Sequence, residues 1–133
     1  KKTQVGSVSM RFEPLYYEAY SRNLKDAEQR RFIEIVNIQR QKPHLLIKLC
    51  AVSAGGEWSA IFNNNLAISP DTVVSEEEVQ HLKDMAHSRM RTLRPKLRDR
   101  GVSLDRVNFC DPTVRLDDDG PSYLDVAYWA KVD

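Results

Sequence analysis

The sequence is short of the features that announce a chemistry. It holds two cysteines, Cys50 and Cys110, too few for a disulfide scaffold and without the spacing of a zinc site. Its three histidines offer no metal cluster: His44 opens a strand, and His81 and His87, six apart, do not share a helix face. There is no phosphate loop, nucleophile elbow or zinc motif. Nothing sets two carboxylates in one cleft, as a glycosidase would need. These absences argue against an enzyme, and neither a cofactor nor a metal is expected. Net charge is nearly lacking as well. The +1 left by 20 basic and 19 acidic residues gives no global argument for nucleic acid. No apolar run approaches the roughly 18 residues of a membrane span, so membrane association is expected only through a parent protein. The chain opens on Lys1-Lys2 without methionine or signal peptide. It is read as a piece of a longer or processed protein, and the missing targeting signal says nothing about compartment.

What is present is a globular composition. The 133 residues are 41% hydrophobic and 29% charged, enough for one domain, 1–133, with a real core. The most informative stretch runs from Glu76 to Pro112. Ser75 and Glu78 form a capping box. Val79, Leu82, Ala86, Met90, Leu93 and Leu97 make an apolar stripe at helical spacing. Pro95 lies inside that helix and predicts a kink, since it removes the bond back to Arg91. Gly101 supplies the residue that helix ends favour. Arg106 to Cys110 then alternates like a strand with one buried face.

A helix feeding a strand calls for an earlier partner strand, and His44 to Val52 supplies it. Leu45, Ile47, Leu49 and Ala51 fall on one face, and Leu46, Lys48, Cys50 and Val52 on the other. Before it, a helix capped by Ser21 or Asn23 runs to about Lys42. Its apolar positions are Leu24, Ala27, Phe32, Ile35, Val36 and Ile38, and Gln39 is among those on its wet side. Pro43 ends it. Ser7 to Phe12 alternates as a first strand, and Tyr123 to Val132 as a last one with Leu124, Val126, Tyr128 and Ala130 inward.

Three stretches between these elements are less regular. Tyr16, Tyr17 and Tyr20 are either a ligand platform or a loop pinned to the domain by its rings. Ser53-Ala54-Gly55-Gly56 breaks the strand pattern, after which one helical turn over about Trp58 to Phe62 leads into an irregular excursion to Val74. Asp117-Asp118-Asp119 lacks the alternating ligands and distal glutamate of a calcium loop and reads as a solvated turn.

Strand, helix, strand, excursion, helix, strand, strand defines an α+β two-layer sandwich. It predicts a mixed four-stranded sheet with two long helices on one face. The open face would carry Ser9, Arg11, Lys48, Cys50, Asn108, Cys110, Asp125, Trp129 and Lys131.

Local patterns sharpen this. Val8-Ser9-Met10-Arg11-Phe12-Glu13 is similar to the first strand of the OmpA-like domain of bacterial envelope proteins. Gln41-Lys42-Pro43 followed by Leu45-Leu46-Ile47-Lys48-Leu49 resembles that family's L-x-x-x-P-x-x-x-I-x-I-x-G segment. Met85-Ala86-His87-Ser88-Arg89-Met90 resembles its L-S-x-x-R-A. Leu97 to Arg106 resembles its L-x-x-x-G-I-x-x-x-R. With Lys42-Pro43-His44-Leu45 opening the strand and an insertion before the arginine motif, the chain looks most like the OmpA-like segment of large AsmA-like envelope proteins. The resemblance implies a non-enzymatic module in the periplasm, attached to a longer envelope protein. Its partner would be another envelope protein or a cell-wall peptide.

In that family an aspartate after the second strand and the arginine of L-S-x-x-R-A hold the diaminopimelate of peptidoglycan. Arg89 matches the arginine. The aspartate has no counterpart: the strand's end reads Cys50-Ala51-Val52-Ser53, with no carboxylate before Glu57. The candidate ligand-binding set is therefore Arg89, Ser53 and Glu57. The leading expectation is an interaction or structural module with degenerate peptidoglycan recognition. The alternative is a peptidoglycan-binding domain that grips a cell-wall peptide through Arg89 and a carboxylate such as Glu57 or Asp71. Arg89 can equally snorkel from the stripe and pair with Glu57. The basic helix end, Arg91 to Arg100, lacks interleaved aromatics, so no nucleic-acid partner is expected. Cys50 and Cys110 are either small buried apolar residues or, in a periplasmic setting, a possible disulfide between parallel neighbours.

Overall fold

The computed structural model describes residues 6–132, with side chains from 10 to 130. The readings above of Lys1, Lys2, and the side chains of Val8, Ser9 and Lys131 lie outside those bounds. Strand β1 (Gly6–Arg11) and a two-residue β2 (Leu15–Tyr16) precede helix α1 (Asp26–Gln41). Strand β3 (Leu46–Ala54) runs directly into α2 (Gly55–Phe62), and α3 (Glu76–Asp99) follows. A 3-10 turn, β4 (Val107–Phe109), β5 (Thr113–Arg115) and the long β6 (Tyr123–Val132) complete the chain.

The sheet is mixed, with order β1-β6-β3-β4. Strand β6 is antiparallel to β1 and β3, while β4 runs parallel to β3. This is the expected four-strand frame. Two short strands were not expected: β2 adds to β6, and β5 extends the parallel pairing along β3. The core lies between this sheet and helices α1 and α3. Ile47, Leu49 and Ala51 of β3 and Leu124, Val126 and Tyr128 of β6 meet Phe32 and Val36 of α1 and Ala86, Leu93 and Leu97 of α3. The alternation of both strands thus sends the predicted faces inward.

Helix α3 begins on the expected capping box. Ser75 Oγ accepts from Glu78 N at 3.1 Å, and Glu78 Oε1 accepts from Ser75 N at 2.8 Å. It ends in a Schellman motif: Val102 N donates to Leu97 O and Gly101 N to Arg98 O, with Gly101 at φ +83°. The helix continues through Pro95 to Asp99 as one element. Pro95 and Arg91 both lie on its exposed side.

Elsewhere the structure corrects the reading. Helix α1 starts at Asp26 behind Lys25, with no side-chain cap, and Ser21 and Asn23 instead bond to each other in the preceding turn. Gln39 is not on the wet side but buried, its amide donating to Leu45 O at 2.9 Å across the turn into β3. Ala27 is exposed.

Helix α2 starts at Gly55, a turn earlier than expected, and the reason is steric. A Cβ on Gly55 would lie 2.6 Å from Leu116 O, and one on Gly56 would meet Gly120 O. The two glycines let the 116–120 turn seat directly on the helix start, where Gly56 N donates to Gly120 O at 3.1 Å.

Candidate functional site

Helices α2 and α3 meet two loops, the one between β2 and α1 and the one leading into β6. Arg89 lies in the middle of the α3 stripe, four residues before Leu93 and three after Ala86, and is only 1% exposed. An unpaired guanidinium there would be prohibitively costly. Its partner is Glu57, two residues into α2 and 2% exposed. The pair is bidentate: Arg89 Nη1 donates to Glu57 Oε1 at 2.7 Å and Nη2 to Oε2 at 2.6 Å.

The loop between β2 and α1 closes over them. Arg89 Nε donates to Ser21 O at 2.8 Å and Nη2 to Glu18 O at 3.3 Å. The guanidinium carbon stands 4.5 Å from the centroid of the Tyr17 ring, a cation–π contact in a dry setting. Glu57 takes two further donors: Ser122 Oγ at 2.6 Å and Tyr20 N at 3.2 Å. Ser122 Oγ also accepts from Ala54 N at 2.9 Å, tying the end of β3 to the start of β6. Four of the five N–H bonds a guanidinium can donate are thereby used inside the chain.

Electrostatics follow from this packing. Burial pushes the Glu57 carboxyl upward, but the hydrogen bonds and charge of Arg89 outweigh it. With help from Ser122 and Tyr20 N, they hold the carboxyl below the ordinary range. Burial pushes the Tyr17 hydroxyl up, and the charge of Arg89 pulls the other way without reversing it. That hydroxyl is buried without a partner. Tyr128, bonded through its hydroxyl to Ile35 O, is pushed up by burial to about 12.

The predicted ligand set is thus brought together and turned inward. Arg89 and Glu57 meet each other, and Ser53, 0% exposed, donates to Leu82 O at 2.7 Å and fastens α3 to β3. None of the three offers a polar atom to solvent. Asp71 is exposed in the excursion and makes no bond to Arg89. The tyrosine loop divides its rings: Tyr17 enters the core, while Tyr16 and Tyr20 remain 39% and 62% exposed. Tyr17 thus pins the loop to the domain, one of the two readings of the tyrosines, whereas sequence reading missed Ser122. Leu15 and Tyr17 do flank Tyr16 at strand spacing, which was the one legible sign that Tyr17 turns inward. Ser122 carried no sign at all.

On the sheet's other face, Cys50 and Cys110 are joined as a disulfide, with Cα atoms 4.8 Å apart, across the parallel pair β3 and β4. Among the described residues no group of histidine, cysteine or carboxylate side chains is arranged to hold a metal ion. Among the same residues no helix is long and apolar enough to cross a membrane.

No family model and no curated protein sequence matches the chain. Among solved structures it is similar to the OmpA-like domain of FopA1 from Francisella tularensis subsp. tularensis SCHU S4. The TM-score is 0.64, covering 100% of this chain and 80% of that one at 8% sequence identity. The chain therefore has the OmpA-like fold. At that identity the likeness speaks for the fold alone.

Proposed function

We propose that this domain is a non-enzymatic interaction or structural module of a bacterial cell envelope, working in the periplasm as part of a longer protein. The OmpA-like fold supports the envelope reading. The motif resemblance to the segment of AsmA-like proteins supports attachment to a larger chain. One observation carries the rest: Glu57 occupies both Nη atoms of Arg89, where a ligand carboxylate would bind. Two loop carbonyls take further donors of the same side chain. The arginine that would grip a cell-wall peptide is spent on the fold. Recognition of peptidoglycan is then degenerate, and the partner is an envelope protein.

The test is a pull-down with purified cell wall at low salt, alongside titration with a soluble diaminopimelate-containing peptide. No saturable binding is expected of either. Removing Arg89 alone would strand Glu57 and threaten folding. The decisive comparison is therefore the double variant Glu57→Gln/Arg89→Met, checked for native circular dichroism. Saturable binding by the wild type that this folded double variant loses would overturn the proposal in favour of a true peptidoglycan-binding domain.

A further inference from the structure

The face of the sheet turned away from the helices holds a second constellation, separate from Arg89. Strand register fixes it. On β6, Ala127 stands directly across from Arg11 of β1 and from Lys48 of β3. Asp125 and Trp129, two residues to either side of Ala127, project from the same face. Lys48 stands in turn across from Asn108 of β4. The Ala127 methyl is therefore the floor of a depression walled by larger side chains, a groove of about 490 Å³. Directly paired residues are about 5 Å apart and diagonal ones about 7–8 Å, so Arg11, Asp125, Lys48 and Trp129 all lie within reach of a ring seated on Ala127, while Asn108 stands one strand farther out beyond Lys48.

The walls differ in what they leave unsatisfied. Arg11 Nη2 pairs with Asp125 Oδ2 at 3.1 Å, so those charges answer each other and present a planar donor–acceptor edge. Lys48 is exposed and pairs with no carboxylate among the described residues. Trp129 is only half-buried and offers part of its indole to the groove. At one end of the groove, on the same face, the Cys50–Cys110 disulfide fastens β3 to β4 two residues beyond Lys48 and Asn108. That link pre-organises the two strands carrying Lys48 and Asn108. A flat apolar surface, planar hydrogen-bonding groups beside it and one uncompensated cation are complementary to one kind of molecule. It has a ring with a C–H face, a rim of hydroxyls and one negative charge.

We propose that this depression binds an acidic sugar, a pyranose bearing one carboxylate. The ring lies over Ala127 against Trp129. Its carboxylate meets Lys48, and its hydroxyls meet the Arg11–Asp125 pair. An inorganic anion would leave the indole unused, and a neutral sugar would leave Lys48 without a counter-charge.

The test is calorimetric titration of the whole domain with a galacturonate disaccharide, its neutral galactose counterpart, and benzoate. Intrinsic fluorescence is a parallel readout, since Trp58 is 2% exposed and a change on binding reports Trp129. Saturable binding is expected for the galacturonate disaccharide, with the neutral sugar and benzoate each about tenfold weaker or worse, the scale of one charge-assisted hydrogen bond. Lys48→Met should bring the acidic probe down to the neutral one. Ala127→Leu, which fills the floor and removes no polar group, should abolish binding. Both substitutions lie on the open face and leave the core intact. The Glu57→Gln/Arg89→Met variant should bind the acidic probe as the wild type does, which separates this site from the fate of the buried pair. No saturable binding of the acidic probe at millimolar concentration would overturn the proposal. So would equal binding of the neutral sugar, or binding indifferent to Ala127→Leu.

Discussion

Replacing Glu57 by alanine leaves the Arg89 guanidinium buried with two carbonyls and no counter-charge. The expected loss is about 3–5 kcal/mol, read from urea unfolding. Replacing both by apolar residues, Glu57→Leu with Arg89→Met, should cost far less than the single change, because no charge remains to be desolvated. The pair also makes stability depend on acid. The Glu57 carboxyl sits below the ordinary range when folded, so between the two values the unfolded chain binds a proton the folded chain does not. Its contribution is complete above the ordinary carboxylate range and drains away as pH falls through the folded value. Glu57→Gln should show a shallower acid limb in thermal melts. Tyr17 carries a hydroxyl that is buried without a partner. Tyr17→Phe keeps a ring under Arg89 and removes that unsatisfied group. Thermal melting should show unchanged stability or a gain of up to about 1 kcal/mol.

At the scale of elements, Gly55-Gly56 is where sequence and structure part most clearly. A glycine pair after a strand reads as a break, yet here it begins α2, because turn 116–120 must come close. Gly56→Ala should drive the turn off the helix and loosen the Ser122 contact to Glu57. The expected loss is about 1–3 kcal/mol by chemical denaturation. Elements with many residues in one repeat were legible: the stripe and caps of α3, and the alternation of β3 and β6. Strands β2 and β5, with two and three residues, are too short to show any period. The sequence leaves Arg89 open between ligand contact and a pair with Glu57; its full burial depends on that carboxylate 32 residues away, and no local pattern announces it. The open face was legible, since its residues alternate with the core ones on the same strands. The closure of the arginine site by loop carbonyls was not.

Across the described residues the two faces of one sheet differ in character: a sealed ion pair on the helix side and an open groove on the other. The Cys50–Cys110 link spans 60 residues of sequence and ties together the strands that carry the second site. Cys50→Ser/Cys110→Ser should lower stability by about 2–4 kcal/mol. Protein produced in an oxidising compartment should change mass by two hydrogens on reduction, read by intact mass spectrometry. The seal over Arg89 has a property of its own. Glu18 and Ser21 contribute only main-chain carbonyls to it, so any side chain at those two positions could supply the same contacts. A lid written in backbone leaves no trace in the alphabet of residues. Two chains can share every letter of an arginine motif while one stands open to ligand and the other is closed by its own chain.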